Sequence, residues 1–532
     1  MTQTDRLGAT HLGGGRTRYA VWAPGARRLE VVLDGRREAL ERGEGGLFAG
    51  EIDRSGPGTR YRLSLDGADP LPDPASRHQP EGVDGPSAVV DLGGFPWTDR
   101  AWRGLPLDRL AIYELHVGTF TSDGTFDGVI DRLDDLVDLG ITAVEVMPVA
   151  QFPGERNWGY DGVFPFAAQD SYGGVEGLAR LVDAAHDRGM AVILDVVYNH
   201  LGPEGNVLPD FGPYFTDRYV TPWGGALNFD GPGSGGVRRF FIENALWWLL
   251  DLHVDALRLD AIQGIVDTTA RPFLAELSEA VDEAAARTGR SLHLIAETDR
   301  IDPGIVAPRD RHGLGIHAMW ADDLHHALHA LLTGERGGYY ADFGRREQLA
   351  GALRDGSWVS GPYSRPRAGR RAPIDAVPPV RLVVYAQNHD QVGNRPRGRR
   401  LGRLLDEEQR KLASGLVLLS PFIPLLFMGE EYGEPSPFHY FVSHSDPELV
   451  ESVRRGRLEE LSHFAWPEEP PDPQDERTFL SSKLRWDLRT EGEHAALLAL
   501  HRELLRLRRS EPALAARDGS HEVDLDGPIL TL

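Results

Sequence analysis

The sequence of 532 residues predicts a multi-domain protein built around a (β/α)8 barrel. From about residue 105 onward, short apolar runs alternate with longer segments of helical period, which is typical of repeated strand–helix units. Eight such runs can be counted, the number that closes a barrel of this class. Before them, short alternating runs are separated by turns rich in Gly, Pro and Asp, a pattern that favours a small β-sandwich.

This division predicts three domains. Residues 1–97 are expected to form the N-terminal β-sandwich, and residues 98–513 the barrel, with long loops inserted after its strands. Residues 514–532 resemble the start of a C-terminal β element that is either short or truncated, because no further strands follow. In the sandwich, Trp22 is expected to belong to the core, with a role as a sugar-stacking surface as the alternative.

The barrel strands and helices are predicted from apolar periodicity. The predicted strands are Ile112–Val117, Ala143–Met147, Ala191–Val197, Ala256–Leu259, Leu292–Ala296, Ile316–Trp320, Leu382–Ala386 and Leu425–Met428. Predicted helices include Phe126–Leu139, Val175–Arg188, Val237–Leu252, Ala270–Arg287 and Glu491–Arg509. Ser122 and Asp123 are candidate N-caps for the first of these helices, and Gly140 and Gly189 are expected to end the first two.

Composition excludes several classes of function. The chain has 57 Lys and Arg against 81 Asp and Glu, a net charge of −24, so we expect neither nucleic acid nor a membrane as a partner. It contains no cysteine, which excludes disulfides, thiolate nucleophiles and Cys-based metal sites. Residues Met1–Arg6 lack the apolar core of a secretory signal, so a cytoplasmic protein is expected, with its oligomeric state left open.

Polar clusters follow four of the predicted strands, where the loops of a barrel form its site. The segments that contain them are Asp195–His200 at the end of the third strand, Asp255–Ala261 at the end of the fourth, Leu294–Asp299 at the end of the fifth and Gln387–Arg395 at the end of the seventh. Taken singly, each cluster has an ordinary structural explanation, such as a turn with a hydrogen-bonded histidine or a salt bridge.

Within these clusters, the carboxylates suggest a specific chemistry. Arg258 and Asp260 are two residues apart and point to the same face of a strand, so the guanidinium can orient the carboxylate as a nucleophile. Glu297 follows an apolar strand, where burial can raise its pKa and allow it to donate a proton. Asp390 brings a third carboxylate to the same rim. Because like charges repel, such a grouping needs a chemical reason, and glycoside hydrolysis with two carboxylates about 5–5.5 Å apart provides one.

The order DVVYNH, DALRLDA, AETD and NHDQ resembles the four signature regions of the α-amylase superfamily, glycoside hydrolase family 13. The resemblance implies that Asp260 is the nucleophile, Glu297 the general acid/base and Asp390 the transition-state stabiliser. It also implies that five further residues bind substrate and that the N-terminal sandwich resembles a glycan-binding domain. Those five residues are Arg258, Asp195, His200, His389 and Tyr160, the last within a matching Asn-Trp-Gly-Tyr-Asp segment.

Asn199 matches a calcium ligand of true amylases, but no cluster completes such a site in the sequence. We therefore expect neither an obligatory metal nor a cofactor. Glu430 and Glu431, which follow the eighth predicted strand, are expected to be structural rather than catalytic.

Within the superfamily, three stretches resemble the family of maltooligosyltrehalose trehalohydrolases. They are Leu71–Arg77, Trp320–His326 and Leu332–Tyr340. This resemblance implies a retaining hydrolase that cleaves the α-1,4 bond next to the trehalose end of maltooligosyl trehalose, with related α-glucans as its partners. Asp322, Asp323, His325 and His326 are then candidate contacts for trehalose, with a helix N-terminus and its solvated polar groups as the alternative.

Three other functions remain open at this stage. A glycogen branching enzyme would use the same carboxylates, but its fourth region usually reads His-Asp-Glu, whereas Gln391 follows Asp390 here. A debranching hydrolase for α-1,6 bonds is the next alternative. A non-catalytic glycan-binding protein belongs to a different class, and such relatives typically lose a carboxylate that this chain keeps.

Overall fold

The strands form two antiparallel sheets followed by a closed barrel. The computed structural model describes residues 6–299, 302–357, 377–462, 468–515 and 519–532, together with the backbone of the strands Tyr363–Ser364 and Gly369–Arg370. In chain order the strands are β1 (Gly8–Gly13), β2 (Arg16–Trp22), β3 (Leu29–Leu33), β4 (Arg36–Ala39), β5 (Glu41–Arg42), β6 (Leu47–Asp53), β7 (Arg60–Leu65), β8 (Ser87–Ala88), β9 (Ile112–Leu115), β10 (Ala143–Val146), β11 (Ala150–Gln151), β12 (Phe164–Ala168), β13 (Ala191–Val196), β14 (Phe215–Thr221), β15 (Gly224–Leu227), β16 (Ala256–Leu259), β17 (His293–Ala296), β18 (Ala318–Trp320), β19 (Tyr363–Ser364), β20 (Gly369–Arg370), β21 (Leu382–Tyr385), β22 (Ile423–Phe427), β23 (Asp524–Asp526) and β24 (Ile529–Thr531).

The α-helices lie mainly between the barrel strands and after the last of them. They are α1 (Val117–Phe120), α2 (Phe126–Ile130), α3 (Leu133–Leu139), α4 (Gly174–Asp187), α5 (Leu208–Phe211), α6 (Ser234–Leu246), α7 (Phe273–Thr288), α8 (Pro303–Val306), α9 (Asp322–Thr333), α10 (Arg346–Asp355), α11 (His389–Gly393), α12 (Glu407–Leu418), α13 (Pro447–Ser462), α14 (Glu476–Leu480), α15 (Gly492–Ser510) and α16 (Pro512–Ala515). In the described parts of the chain, no helix has both the length and the apolar character needed to cross a membrane.

Eight parallel strands close the barrel in the order β9, β10, β13, β16, β17, β18, β21, β22 and back to β9. The predicted (β/α)8 fold is therefore confirmed, and each predicted strand overlaps one of these eight. The two-residue alternation of a strand places every second side chain inside the barrel. At the N-terminal end these inward side chains are small or aliphatic, including Ala143, Ile193, Ala256 and Ile295.

The predicted helices are found with three differences. The helix predicted over Val237–Leu252 is α-helical only as far as Leu246 and continues as a π-helix over Trp247–Asp251. The segment predicted as one helix from residue 126 to 139 is divided into α2 and α3 at Asp131 and Arg132. The cap of α2 is Thr125 and not Ser122 or Asp123, because Thr125 is the extended residue whose hydroxyl oxygen accepts a hydrogen bond from the Gly128 amide at 3.1 Å.

The N-terminal strands form two four-stranded sheets in the orders β1–β2–β6–β5 and β4–β3–β7–β8. Their inner faces meet where Tyr19 of β2 and Tyr61 of β7 pack edge to face, 4.9 Å between ring centroids. Trp22 is 9% exposed and packs edge to face on Tyr214 from a barrel loop at 5.2 Å. Trp22 is therefore a core residue that joins the sandwich to the barrel, and its ring is not presented to a sugar.

A buried ionic network closes the N-terminal end of the barrel. The ring of His186, at the end of α4, lies between two carboxylates, with Nδ1 2.8 Å from Asp99 and Nε2 2.9 Å from Asp255. Asp255 also accepts a hydrogen bond from the indole of Trp102, which stacks on His186. This network ties the segment that leads into the barrel to the loop before β16.

We expect this network to make stability depend on pH. Burial opposes the charged form of His186, but its hydrogen bonds to Asp255 and Asp99 raise its pKa above the ordinary value. Because the folded pKa exceeds the unfolded one, the stabilisation is complete below about pH 6.5 and is lost as the pH rises through the folded pKa. His186→Gln should therefore lower the Tm more at pH 6 than at pH 9, since breaking a buried ion pair costs about 3 kcal/mol.

The control is His78→Gln, because His78 forms a matching 2.8 Å pair with Asp170 in which both side chains are partly exposed. A partly exposed pair contributes about 1 kcal/mol or less, so this variant should change the Tm little at either pH. Equal Tm losses at pH 6 and pH 9 for the His186 variant would show that its charge does not stabilise the fold.

Candidate active site

The site is organised around the side chain of Arg258, which is fully buried at the carboxyl end of β16. Its Nη1 lies 2.8 Å from an oxygen of Asp195 and 2.8 Å from an oxygen of Asp260, and its Nη2 lies 3.6 Å from Glu297. The guanidinium also lies over the ring of Trp320, 4.4 Å from the ring centroid. One cation thus holds three carboxyl groups from three neighbouring strands.

Asp260 directly follows β16 and faces the mouth of the barrel, with 9% of its surface exposed. One carboxylate oxygen accepts a hydrogen bond from Arg258, and the other accepts one from the side-chain amide of Asn199 at 2.9 Å. Two donors on different strands therefore fix the carboxylate while leaving part of it open to the cleft.

Glu297 follows β17 and is oriented by an unusual backbone conformation. Ala261 has φ 37° and ψ 58°, a left-handed conformation that is uncommon for a residue with a side chain. This turn directs the Ala261 amide to donate a hydrogen bond to the Glu297 carboxyl. Burial raises the pKa of Glu297 to about 8; the positive charge of Arg258 opposes this shift, and the charges of Asp260 and Asp390 add to it. Glu297 is therefore mainly protonated at neutral pH.

A chain of hydrogen bonds links the remaining predicted residues beside Arg258. The Tyr160 hydroxyl donates to Asp195 at 2.8 Å and accepts from His389 Nε2 at 2.7 Å, and the Tyr160 and His389 rings stack. Burial opposes the charged form of His389, but the charges of Asp390 and Glu114 raise its pKa to about 9. Burial likewise raises the pKa of Asp195 to about 7, against the effect of Arg258.

Asp390 lies on α11, the short helix that follows β21. Its amide donates to the Asn388 side chain at 2.9 Å, and its carboxylate accepts from the Asn394 side chain at 3.1 Å. The side chain is 39% exposed, and one of its oxygens lies 3.5 Å from His389 Nε2. Asp390 is thus the most open of the three predicted catalytic carboxylates.

An aromatic residue that was not predicted completes the mouth of the site. Trp223 lies in the turn between β14 and β15, is 43% exposed and stacks on the ring of His200, with centroids 5.7 Å apart. Hydrogen bonds fix the His200 ring: Nε2 lies 3.0 Å from the Tyr160 carbonyl oxygen, and Nδ1 lies 2.7 Å from the side-chain oxygen of Asn199. The predicted residue His200 therefore lies between an open aromatic surface and the residues that fix Asp260.

The four predicted trehalose contacts on α9 occupy different environments. Asp322 accepts a hydrogen bond from Tyr385 and is close enough to Glu297 for its charge to raise the pKa of that residue. Asp323 is buried and accepts from Ser357 at 2.5 Å. Because Asp323 faces the protein interior, the structure separates it from the cleft.

His325 and His326 are also buried, at 1% and 5% exposure, on the inner face of α9. The two ring nitrogens of His325 lie 2.6 Å from the Ala386 carbonyl and 3.0 Å from the Tyr340 hydroxyl. His326 packs against Tyr339 and Tyr340. These two rings are buried inside the protein. Of the four predicted residues, Asp322 is the one whose charge affects a predicted catalytic carboxyl group, that of Glu297.

Glu430 and Glu431 are held by neighbouring protein groups, as expected of structural residues. Glu430 accepts a hydrogen bond from Gln387 at 3.1 Å, and Glu431 accepts one from the Tyr113 hydroxyl at 3.1 Å. Within the described residues, no group of three or more His, Asp or Glu side chains could hold a metal ion. Asn199, which resembles a calcium ligand in sequence, here donates its amide to Asp260.

Two buried glutamates, Glu114 on β9 and Glu145 on β10, were not predicted as part of the site. Glu114 accepts hydrogen bonds from the amide and Nδ1 of His389, and Glu145 lies near Arg258 and Asp195. A charged residue inside an apolar strand is the signal that could have identified both of them, because each interrupts a run that otherwise reads as barrel core.

Comparison with known proteins decides the family. A family model of the alpha amylase catalytic domain matches residues 98–211. The malto-oligosyltrehalose trehalohydrolase of Arthrobacter ramosus is 48% identical over 520 residues, which is 96% of this chain and 89% of that protein. The chain belongs to the malto-oligosyltrehalose trehalohydrolase family.

Other relatives agree with this assignment. The malto-oligosyltrehalose trehalohydrolase of Saccharolobus solfataricus is 45% identical over 493 residues, covering 92% of this chain and 85% of that protein. A crystal structure described as an alpha amylase of Salmonella typhimurium superimposes with a TM-score of 0.91 at 41% identity, covering 98% of this chain and 90% of the other. The fold of this chain is thus shared by that structure over almost the full length of the chain.

Proposed function

We propose that the chain is a retaining α-glycoside hydrolase that cleaves the α-1,4 bond adjacent to the trehalose unit of maltooligosyl trehalose. The observation that carries this proposal is the pair Asp260 and Glu297, two carboxyl groups on one guanidinium, of which Glu297 has a pKa raised to about 8. A double displacement needs an oriented nucleophile beside a protonated acid. The names of the relatives support trehalose as the leaving group.

In the first step, an oxygen of Asp260 bonds to C1 of the glucosyl unit as the bond from C1 to the trehalose oxygen breaks. Glu297 transfers its proton to that leaving oxygen, so trehalose departs as a neutral alcohol. The product on the enzyme is a covalent glycosyl ester of Asp260. Arg258 is the positioning residue, because it holds both carboxyl groups during this step.

In the second step, water attacks C1 and the bond to Asp260 breaks. Glu297, now ionised, takes a proton from the water, which restores its protonated form. Two inversions at C1 leave the α configuration at the new reducing end of the maltooligosaccharide. The reaction consumes one water molecule and returns both carboxyl groups to their starting states.

We propose that the remaining groups bind the sugar. Asp390 would accept hydrogen bonds from the sugar hydroxyls and stabilise the positive charge that develops in the transition state. Tyr160 and His200 would lie along the sugar at the cleavage point, with His389 and Asp195 holding Tyr160. The open ring of Trp223 provides an aromatic face of the kind that packs on glucose.

We propose that this reaction serves trehalose biosynthesis. We also propose that the enzyme works in the cytoplasm. The net charge of −24 supports a soluble enzyme with a neutral sugar as its partner. The predicted lack of a nucleic-acid or membrane partner rests on the same charge and stays a prediction.

A product assay tests the proposed substrate. We expect free trehalose from maltotetraosyl trehalose, with little change in maltohexaose or amylose incubated in parallel and separated by chromatography. Proton NMR during the first minutes should show the α anomer of the new reducing end before mutarotation. Branched or shortened amylose without trehalose would assign the enzyme to another activity of the superfamily, and no turnover of any glucan would support a binding protein.

Amide variants of the two carboxyl groups should separate their roles. Asp260→Asn should lose at least about 10³-fold in kcat on every substrate, because no nucleophile remains. Glu297→Gln should lose about 10²–10⁴-fold on maltotetraosyl trehalose. On α-maltotriosyl fluoride, whose leaving group needs no proton, Glu297→Gln should still release fluoride in the first turnover.

The control for these variants is Asp187→Asn, which makes the same change on the exposed surface of α4 and should leave kcat unchanged. If Glu297→Gln were as inactive on the fluoride as Asp260→Asn, the acid role would be assigned to the wrong residue.

The proposal also predicts a pH profile. Because Glu297 must be protonated to act as the acid and its pKa is raised to about 8, kcat/KM should fall as the pH rises through about 8. The measurement is kcat/KM for maltotetraosyl trehalose between pH 5 and 10. For Glu297→Gln acting on α-maltotriosyl fluoride, kcat/KM should not fall at alkaline pH. If it does fall, a group other than Glu297 causes the alkaline limb.

A further inference from the structure

Two glutamates lie inside the barrel directly beneath the catalytic groups. Glu114 of β9 and Glu145 of β10 are register partners in neighbouring parallel strands. Both point inward and both are 1% exposed. Two buried carboxyl groups side by side repel each other if both are ionised, so the protonation state of the pair must be explained.

Glu114 is well supplied with hydrogen-bond donors. One of its oxygens accepts from the His389 amide at 2.9 Å, and the other accepts from His389 Nδ1 at 2.5 Å. The second bond joins the carboxylate to an imidazole whose pKa is raised to about 9, in part by the charge of Glu114. Glu114 therefore has a backbone donor and a cation to stabilise its ionised form.

Glu145 has no such support. Both of its carboxyl oxygens are buried without a hydrogen-bond partner. The charged groups that face it are Glu114 from β9, Asp195 from β13, Arg258 from β16 and His389 from α11. Nη1 of Arg258 is engaged with Asp195 and Asp260, and its Nε and Nη2 make no hydrogen bond to Glu145. His389 Nδ1 is engaged with Glu114. An ionised Glu145 would thus add an unpaired buried charge, which is strongly unfavourable.

We propose that Glu114 and Glu145 form a carboxylate–carboxylic acid pair that holds one proton beneath the active site, with Glu145 as the permanently neutral member. Burial and the charge of Glu114 both raise the pKa of Glu145 well above its ordinary value, in agreement with this geometry. Because Glu145 is neutral, His389 keeps Glu114 as its counter-ion, and Arg258 remains available to the catalytic carboxylates.

In this arrangement Glu114 is a positioning residue and Glu145 is its neutral neighbour, and the effect of Glu114 on turnover rests on the proposed function. Glu114 acts through His389, which donates a hydrogen bond to Tyr160 at 2.7 Å and lies 3.5 Å from Asp390. A second negative charge at Glu145 would raise the pKa values of the neighbouring acids and weaken the attraction of Arg258 for Asp260. The proton on Glu145 therefore keeps a second negative charge away from Arg258 and the carboxyl groups above it.

The strand-paired glutamates allow a matched experiment in which each is replaced by glutamine. Glu145→Gln substitutes a neutral group for a group that we infer to be neutral, so kcat/KM at pH 7 should stay within about threefold of the wild type. The alkaline limb of the pH profile should also stay in place. Glu114→Gln removes the counter-ion of His389, so kcat/KM should fall at least about tenfold, and the loss should deepen as the pH rises and His389 deprotonates.

The proton itself can be observed without turnover. Infrared spectra at pH 7 should show that Glu145→Gln lacks one carboxylic-acid carbonyl band of the wild type. Glu114→Gln should instead lack the bands of one carboxylate. This measurement does not depend on the substrate, so it stands even if the product assay finds another glucan activity.

Three results would overturn the proposal. The first is loss of carboxylate bands in Glu145→Gln, which would show that Glu145 is ionised. The second is a tenfold or larger activity loss in Glu145→Gln with Glu114→Gln near wild type, which would reverse the two roles. The third is failure of Glu145→Gln to fold, because the amide has the size and zero charge of the acid that we infer.

Discussion

The buried positive charge of Arg258 is the constraint on which the active site depends. Removing one cation and several carboxylates from water costs several kcal/mol for each ion, and only close contacts offset that cost. Arg258 meets this requirement by contacting Asp195, Asp260 and Glu297 at once while its flat face lies on Trp320. Each of these carboxyl groups has one further donor, but Arg258 is the positive charge that they have in common. The geometry of the proposed site therefore depends on the same ion contacts that offset the cost of burying its charges.

The fold could be predicted because each strand carries its own pattern. Along β16 the inward side chains run from Ala256, in the apolar end of the barrel, to Arg258 in the ionic layer and Asp260 at the mouth. β13 repeats this order with Ile193 and Asp195. Local alternation therefore predicts which residues face inward, and the parallel register brings equivalent levels of neighbouring strands together. The eight strands, and the carboxyl groups that contact Arg258, could therefore be predicted from the alternation of residues within each strand.

The parts that escaped prediction depend on long-range contacts. Glu145 lies in a short run that reads as apolar core, and its meaning appears only when β9 places Glu114 beside it. Trp223 reaches the site because a hairpin folds over the barrel mouth, which its own sequence does not specify. His325 and His326 looked accessible in a polar stretch, but packing turns that face of α9 inward. In all of these cases the position of the side chain depends on tertiary contacts, which the sequence of a single segment does not reveal.

The charges that surround Glu297 also explain how one residue could serve in two opposite roles. In the free enzyme, burial and the negative charges of Asp260 and Asp390 favour its protonated form, although Arg258 opposes them. In the proposed mechanism, Asp260 loses its charge when it is converted into a glycosyl ester, and one cause of the raised pKa of Glu297 then disappears. The pKa of Glu297 must then fall, because Arg258 now acts against a smaller opposing field. Under the proposed mechanism, Glu297 would therefore act as an acid while Asp260 is charged and as a base once Asp260 is esterified.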